Sequence, residues 1–331
     1  GIDPSEKEEK VQVEKNLTIW YLPMKHLGAH GFMDCKNLDP QLKALFCFGD
    51  QQIFLPHVYR WCRCRRIPFA AYVGTAHSLD SNFKSKVMNA LFAAGTLRIY
   101  KKNPVLAKTS AAKEELRQLG VPHAVIAPVG LDTAVLKKNI PADEKMRLRK
   151  EHGFEADDVI LCNVSRLSWE KRPLELIDLF LQVKGKKKFK LIIVGNGPLE
   201  EELNEKIRKN GLEKEVKIYP NVPYEKMWEI YEMSDYYLNM NKGEIFGMAI
   251  MEAVYYKTSV AAIRALGPSV TLKDMKGHKL CENDDEMAEW ITGPYPSEKD
   301  LQESSEKMAA TFTWDRCADA FLQASSEKSS R

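Results

Sequence analysis

Short apolar segments alternate with amphipathic segments along almost the whole chain. This alternation is typical of βαβ units, in which buried parallel strands are joined by helices. The strands predicted in the first half are Leu17–Leu22, Ala44–Phe48, Phe69–Val73, Leu97–Ile99 and Ala124–Ala127, with helices near 55–65, 82–93 and 110–119. The strands predicted in the second half are Val159–Val164, Leu191–Val194, Val216–Tyr219, Tyr236–Asn239 and Ser259–Ile263, with helices near 173–183, 199–209, 224–233 and 246–256.

A polar and charged segment, 137–154, separates the two series. We therefore expect an α/β protein with two Rossmann-like, doubly wound domains, 17–140 and 141–312, that face a cleft at the carboxyl ends of their strands. A closing helix is expected within 313–331, crossing back to the first domain. Residues 1–16 are interpreted as a leader outside the fold, with a cloning remnant at its start.

Composition excludes some classes of function. The chain has 331 residues and a formal net charge of +3, which is too small to indicate a nucleic-acid partner. The seven cysteines are scattered without zinc-site spacing, so no structural metal is expected. No apolar run approaches the roughly 18 residues of a spanning helix. We expect a cytoplasmic protein.

The first candidate site follows the strand at 159–164. Arg166 and Lys171 lie in the loop after it, and Pro173 stands where a helix would begin. Two cations at the carboxyl end of a strand can converge on a diphosphate. Ordinary ion pairs on a surface loop are the alternative interpretation.

The next strand runs into Gly195, Asn196, Gly197 and Pro198. Glycines here would let a ligand or another loop approach the backbone. The dinucleotide fingerprint G-x-G-x-x-G is absent, because its third glycine position holds Glu200. A dehydrogenase is therefore disfavoured, and a plain tight turn is the other interpretation.

The third candidate site holds two glutamates, Glu244 and Glu252, eight residues apart. Phe246, Gly247 and Met248 begin a helix between them, and a helix N-terminus favours phosphate. Glu252, about two turns into this helix, could accept hydrogen bonds from vicinal hydroxyls such as those of ribose. Solvated helix glutamates are the alternative, although the apolar neighbours indicate burial.

At these motifs the chain resembles the retaining glycosyltransferases of the GT-B fold, family 4 (the group 1 transferases). The resemblance covers most of residues 17–325. The segments that carry it are VIAPVGLD, VSRLSWEKRP, IIVGNGPLEEEL and VKIYPNVPYEKMWEIYEMSDYYLNMNKGEIFGMAIMEA. Its most specific mark is E-x7-E with Phe-Gly after the first glutamate.

The resemblance implies roles for the second domain. Arg166 and Lys171 would hold the donor diphosphate, Glu244 the donor sugar and Glu252 the ribose. The remaining donor-binding residues that we predict in this domain are Asn196, Val222, Phe246, Gly247 and Met248.

In the first domain the resemblance implies a catalytic His77, near the reaction centre, and a glycine-rich loop with Gly28 or Gly31 against the donor. A histidine satisfied in a loop is the alternative for His77. The chain departs from the family pattern at Ile245, where glycine is usual, and at Lys257 and Ser259, which replace glycine and proline.

The expected reaction is transfer of a sugar from a nucleoside diphosphate to an acceptor hydroxyl, with retention of configuration at the anomeric carbon. UDP is the expected nucleotide because it is the most frequent one in the family. The nucleotide sugar is a substrate, and no cofactor or metal is expected. The acceptor, a saccharide, lipid-linked saccharide or protein glycan, stays open. The alternatives are a catalytically silent partner subunit and a sugar-nucleotide epimerase.

A basic helix face could give the chain a peripheral membrane contact. Arg60, Arg63 and Arg66 share one side of the helix predicted at 55–65. Such a face can bind anionic lipid at the inner membrane surface, as in membrane-associated relatives. A solvated face of a packed helix is the alternative.

Overall fold

A computed structural model of the chain describes residues 9–15, 17–27, 30–48, 53–76 and 83–326. The described residues divide into two compact units. The first runs to Ala127 and takes up the chain again from Ala318, and the second is Pro128–Cys317. The sequence predicts domain boundaries at 140/141 and 312/313, whereas the two units divide at 127/128 and 317/318.

The first unit contains two antiparallel hairpins and a small parallel sheet. Its elements in chain order are β1 (Glu9–Glu14), β2 (Leu17–Tyr21), β3 (Met24–Leu27), β4 (His30–Met33), β5 (Leu45–Phe48), α1 (Leu55–Arg65), β6 (Phe69–Val73), α2 (Phe83–Ala94), α3 (Thr96–Tyr100), β7 (Val105–Ala107), α4 (Ser110–Gln118) and β8 (Val125–Ile126). The sheet has the order β5-β6-β7-β8.

Two predictions for this unit are wrong. The segment Leu97–Ile99, predicted as a strand, lies in the helix α3. The strand that pairs with both β6 and β8 in the sheet is instead β7, which the sequence pattern does not predict. An apolar run of three residues fits either a buried helix or a buried strand, so periodicity could not separate them. The leader prediction is also wrong in part, because β1 pairs with β2 and belongs to the fold.

The second unit is a six-stranded, fully parallel sheet with helices on both faces. Its elements are α5 (Glu144–Glu151), β9 (Val159–Val164), α6 (Pro173–Val183), β10 (Phe189–Val194), α7 (Glu200–Lys209), β11 (Val216–Tyr219), α8 (Met227–Met233), β12 (Tyr236–Asn239), α9 (Met248–Tyr255), β13 (Ser259–Ile263), α10 (Leu266–Thr271), β14 (Lys279–Cys281), α11 (Asp284–Thr292) and α12 (Glu298–Thr311). The strand order is β11-β10-β9-β12-β13-β14.

This order reverses direction between β9 and β12. In open α/β sheets, ligands bind outside the carboxyl ends of the strands at such a switch point. The loops that leave β9 and β12 there are 165–172 and 240–247. They carry Arg166, Lys171 and Glu244.

The sheet of the second unit is buried on both faces. Along β10, Ile192 and Val194 lie in one apolar cluster, and Leu191 and Ile193 lie in the other. Strands that are covered on both faces have continuous apolar sequences, so these strands could be predicted from the sequence. The rigid sheet fixes the starting points of the two loops.

Residues near both ends of the second unit pack together. The amide of Leu131 donates to the carbonyl of Phe312 over 2.9 Å, and Gly130 lies directly against the backbone of Trp314. Leu131 and Phe312 are buried in the same apolar cluster as Leu136. From there the chain enters α13 (Trp314–Ser326), whose Phe321 packs edge-on against Tyr72 of the first unit's sheet.

A buried arginine connects the amino ends of the central strands. Arg149 of α5 is 5% exposed and donates to the carbonyls of Met233 and Asp158. It also forms a 2.6 Å ion pair with Asp235, which accepts further bonds from Lys145 and from the amide of Ile160. These contacts join α5, β9 and the start of β12.

His278, just before β14, is expected to make stability depend on pH. Its Nδ1 accepts from the amide of Val260, its Nε2 is buried without a partner among the described residues, and burial lowers its pKa to about 4. Between pH 6.5 and about pH 4, His278 is therefore protonated in the unfolded chain and neutral in the folded chain. Stability should fall across that window by about 3 kcal/mol from this residue alone.

Urea unfolding at pH 7 and at pH 4.5 measures this effect. In the variant His278→Asn, whose amide oxygen can accept from Val260, the pH-dependent loss should shrink markedly. His57→Asn, at an exposed histidine, serves as the matched control and should keep the wild-type dependence. Equal dependence in wild type and His278→Asn would contradict the assignment.

Candidate functional site

The loop after β9 is held by a residue in the left-handed conformation. Arg172 has φ 56° and caps the N-terminus of α6 directly after Lys171. Its guanidinium binds both carboxylate oxygens of Asp284, at 3.0 and 2.8 Å, and the carbonyl of Met240 at 3.3 Å. A left-handed conformation costs a non-glycine residue roughly 1–2 kcal/mol, so these bonds keep the backbone beside Lys171 in place.

Lys171 and Glu244 meet at the carboxyl edge of the sheet. The ammonium Nζ of Lys171 lies 2.8 Å from Oε2 of Glu244, and the side-chain Nδ2 of Asn241 donates to the same oxygen over 3.1 Å. Burial would raise the pKa of Glu244, but the bonds from Lys171 and Asn241 outweigh it and hold that pKa below its ordinary value. The structure thus brings together two residues predicted from separate motifs, as an ion pair.

Arg166 lies exposed in the same loop. The pKa of Glu170 is lowered first by the hydroxyl of Ser168, and in smaller part by the charges of Lys171 and Arg166. The two cations therefore act on one small region of the surface. Within the described part of the chain Arg166 forms no ion pair, so its five donors remain available to an anion.

The glycine turn after β10 packs on the loop after β9. A Cβ at Gly195, where φ is 140°, would meet the carbonyl oxygen of Ser165, and one at Gly197 would meet that of Leu167. The amide of Leu167 donates to the carbonyl of Asn196 over 2.8 Å. The turn therefore supports the cation-bearing loop.

Of the residues predicted to bind the donor, Asn196 lies in this turn and Val222 lies in the loop that the side chain of Asn196 contacts. The side chain of Asn196 is exposed and donates to the carbonyl of Pro220 over 3.1 Å. Val222, in the loop after β11, is half-buried against the apolar cluster on one face of the sheet. Their predicted contact with the donor stays a prediction.

The segment between Glu244 and α9 has a defined backbone. Gly247 has φ 87° at the N-cap of α9, and the buried Phe246 packs edge-on against Phe312. A Cβ at Gly267 would lie 2.5 Å from the amide nitrogen of Phe246. The start of α10 thus holds this loop, with Met248 partly exposed at the first turn of α9.

Glu252 is 7% exposed and has its own set of partners. Tyr231 donates to its Oε2 over 2.7 Å, and Tyr224 donates to its Oε1 over 3.4 Å. Burial raises the pKa of Glu252, and the bonds from the two tyrosines oppose that rise. The structure confirms burial of this glutamate, against the alternative of a solvated one.

In the part of the chain that the structure describes, no site residue predicted in the first unit lies in a donor-binding loop. His77 and Gly28 lie outside the described residues. Gly31 is not in a loop: it lies within β4, opposite His26 of β3. The side chain of Met24 occupies the place of a Cβ at Gly31, so the glycine is required by packing within the hairpin.

The sequence motifs do not indicate three partners of these site residues: Tyr224 and Tyr231, which bind Glu252, and Asn241, which binds Glu244. Tyr224 and Tyr231 both fall in the predicted helix 224–233, and their spacing of seven residues puts them on one helix face. That spacing could have indicated a shared partner. No sequence signal pointed from Arg172 to Asp284, which lies more than a hundred residues further on.

Within the described residues, no group of three or more His, Cys, Asp or Glu side chains is placed to hold a metal ion. No helix in that part of the chain is both long and apolar enough to cross a bilayer. Arg60, Arg63 and Arg66 lie exposed at α1 and its C-terminus.

Comparison with solved structures shows the fold. The chain is similar to Alr3699/HepE of Anabaena in complex with UDP, with a TM-score of 0.69 and 17% identity, over 88% of this chain and 80% of that one. It is also similar to sucrose-phosphate synthase of Thermosynechococcus elongatus, with a TM-score of 0.69 and 15% identity, over 97% and 85% of the two chains. The chain has the two-domain α/β architecture of GT-B glycosyltransferases.

Sequence comparison identifies the second unit. A D-inositol 3-phosphate glycosyltransferase of Mycobacterium avium is 26% identical over 76% of this chain, which spans 62% of that protein's length. The amylovoran biosynthesis glycosyltransferase AmsD of Erwinia amylovora is 34% identical over 34% of this chain and 31% of its own. The model of the family "Glycosyl transferases group 1" matches residues 144–308. This segment, which carries Lys171, Glu244 and Glu252, is therefore a group 1 glycosyltransferase domain.

Proposed function

We propose that the chain is a retaining glycosyltransferase that moves a sugar from a nucleoside diphosphate, with UDP as the expected nucleotide, to an acceptor hydroxyl. The observation that carries this proposal is the cluster of Arg166, Lys171 and Glu244 at the switch point of the second sheet. The two cations match the anionic phosphates of a sugar diphosphate. The carboxylate matches the hydroxyl groups of its sugar, which donate hydrogen bonds. The related structure of Alr3699/HepE with UDP supports the choice of nucleotide.

In this proposal Lys171 exchanges Glu244 for a phosphate oxygen of the donor. Arg166 and Lys171 then stabilise the charge that develops on the diphosphate as the bond from the anomeric carbon to the phosphate oxygen breaks. Glu244, released from Lys171, accepts hydrogen bonds from hydroxyls of the sugar. The acceptor oxygen bonds to the anomeric carbon, and its proton passes to the departing diphosphate.

Other parts of the proposal rest on the resemblance. Glu252 takes the ribose hydroxyls, and the backbone of Phe246–Met248 takes phosphate or sugar. The acceptor is a saccharide, a lipid-linked saccharide or a protein glycan. The contact of Arg60, Arg63 and Arg66 with an anionic membrane surface stays a prediction.

A thermal-shift screen with UDP, GDP and ADP sugars tests the proposal, because a ligand at 100 times its Kd stabilises the folded state by about 2.7 kcal/mol. The UDP sugars should give the largest shift, and prolonged incubation should release free sugar with the donor's anomeric configuration. Conversion of one nucleotide sugar into another would instead indicate an epimerase. No shift with any of them would indicate a catalytically silent partner subunit.

A further inference from the structure

The two hydrogen bonds to the Glu252 carboxylate are unequal. Tyr231 is 1% exposed, and its 2.7 Å bond to Oε2 lies inside the core. Its ring is stacked almost parallel to that of Tyr256, with 5.8 Å between the ring centroids and 10° between the planes. A phenol fixed in this way has no room to turn elsewhere, so the Tyr231 bond is a permanent part of the fold.

Tyr224 donates to the other oxygen of the same carboxylate. It is 50% exposed, in the short 3-10 turn Tyr224–Lys226 that follows the loop after β11. Its hydroxyl is 3.4 Å from Oε1 of Glu252, near the limit of a hydrogen bond. A long bond from a half-exposed side chain is easily exchanged for a bond from a ligand.

Within the described part of the chain, no cation compensates for the burial of Glu252. Among the groups that act on its pKa, only the hydroxyls of Tyr231 and Tyr224 oppose the effect of burial. An ionised carboxylate has about four acceptor positions, and each buried position without a donor is unfavourable. Glu252 is therefore arranged to accept from neutral hydroxyl donors, with Oε2 anchored by Tyr231 and Oε1 reachable past Tyr224.

We propose that Tyr231 is a positioning residue that orients Glu252 toward the donor ribose, and that the Tyr224 hydroxyl stands in the unliganded chain where a ribose hydroxyl binds. This inference rests on the proposed function and specifies how its nucleoside subsite works. The donor ribose displaces Tyr224 from Oε1, while Tyr231 keeps its bond to Oε2. The site consequently selects ribose over 2′-deoxyribose, because a deoxynucleotide leaves part of the carboxylate without a donor.

Isothermal titration of UDP and 2′-deoxy-UDP tests this inference, with the ratio of the two affinities as the readout. A hydrogen bond to a charged group is worth about 1.5–3 kcal/mol, so wild type should prefer UDP by about 10-fold to 100-fold. In Tyr231→Phe the ratio should fall at least several-fold toward one. The affinity for 2′-deoxy-UDP should change little, because the diphosphate is held by Arg166 and Lys171.

Two further variants make the test specific. Tyr224→Phe removes the competing hydroxyl, so its preference for UDP should equal or exceed that of wild type. Tyr256→Phe removes another buried hydroxyl from the same aromatic stack, where it accepts from the amide of Lys137. It should show a stability loss like that of Tyr231→Phe and an unchanged affinity ratio.

The inference is overturned if wild type binds UDP and 2′-deoxy-UDP equally. It is also overturned if Tyr231→Phe weakens both ligands by the same factor, or if Tyr224→Phe loses the preference for UDP. Failure of the proposed function is distinguishable, because wild type would then bind none of UDP, GDP and ADP, or would convert one nucleotide sugar into another. If GDP or ADP binds in place of UDP, its own 2′-deoxy form is the probe and the same ratios apply.

Discussion

Replacing Lys171 with alanine should reduce sugar transfer by at least about 10²–10³-fold, as expected when a charge-stabilising group is removed from a transition state. In the structure its ammonium lies 2.8 Å from Glu244, within the cluster proposed to bind the donor. The pair is partly exposed, with 25% and 14% of the two side chains accessible. The variant should therefore fold, and its far-UV spectrum and urea midpoint should stay close to those of wild type. Turnover of the best UDP sugar from the thermal-shift screen is the measurement.

Lys209→Ala is the matched control for this experiment. Lys209 is an exposed lysine in the last turn of α7, in the same unit as Lys171. Its replacement removes the same charge and should leave turnover unchanged. Near-normal turnover in Lys171→Ala would show that the cluster does not hold the diphosphate.

The second large effect is expected on stability, at Arg149. Arg149→Met keeps the aliphatic contacts but leaves the carbonyls of Met233 and Asp158 without their donor, and Asp235 with a weaker ion pair. Breaking a buried pair on one side typically costs about 3–5 kcal/mol. Urea unfolding followed by tryptophan fluorescence should show this loss as a lower midpoint with an unchanged slope.

Arg147→Met provides a control on the same helix. Arg147 is half-exposed and forms ion pairs with Glu144 and Glu151 on the surface of α5. Exposed pairs of this kind contribute little to stability, so the unfolding midpoint should barely move. Equal losses in the two variants would mean that Arg149 acts only through the propensity of its helix, not through its buried bonds.

The sequence could place Lys171 and Glu244 near one another because each follows a strand of one parallel sheet. Buried strands such as β9 and β10 are continuous apolar runs, and loops that follow such strands meet at the carboxyl edge. The ion pair itself could not be predicted. It depends on the left-handed Arg172 and on Asp284, and nothing local in the sequence marks either residue.

Other features escaped prediction because tertiary contacts decide them. Residues 97–99 are helical in a setting where a three-residue apolar run fits a strand equally well. The predicted ribose role of Glu252 follows from its place about two turns into the predicted helix and from the family resemblance. Its two tyrosine partners come from the 3-10 turn Tyr224–Lys226 and from α8, so no spacing within its own helix could indicate them.

The packing of Leu131 on Phe312 bears on how the glycosyltransferase half could be made as a separate fragment. The family match ends at residues 144 and 308, but Leu131, Leu136 and Phe312 are buried core residues outside those limits. A fragment cut at the limits of the match would expose apolar surface that these side chains cover. One that extends from Pro128 to Cys317 retains the bond between Leu131 and Phe312 and the contact of Gly130 with Trp314. The unit suited to autonomous expression is thus longer at both ends than the segment that sequence similarity marks.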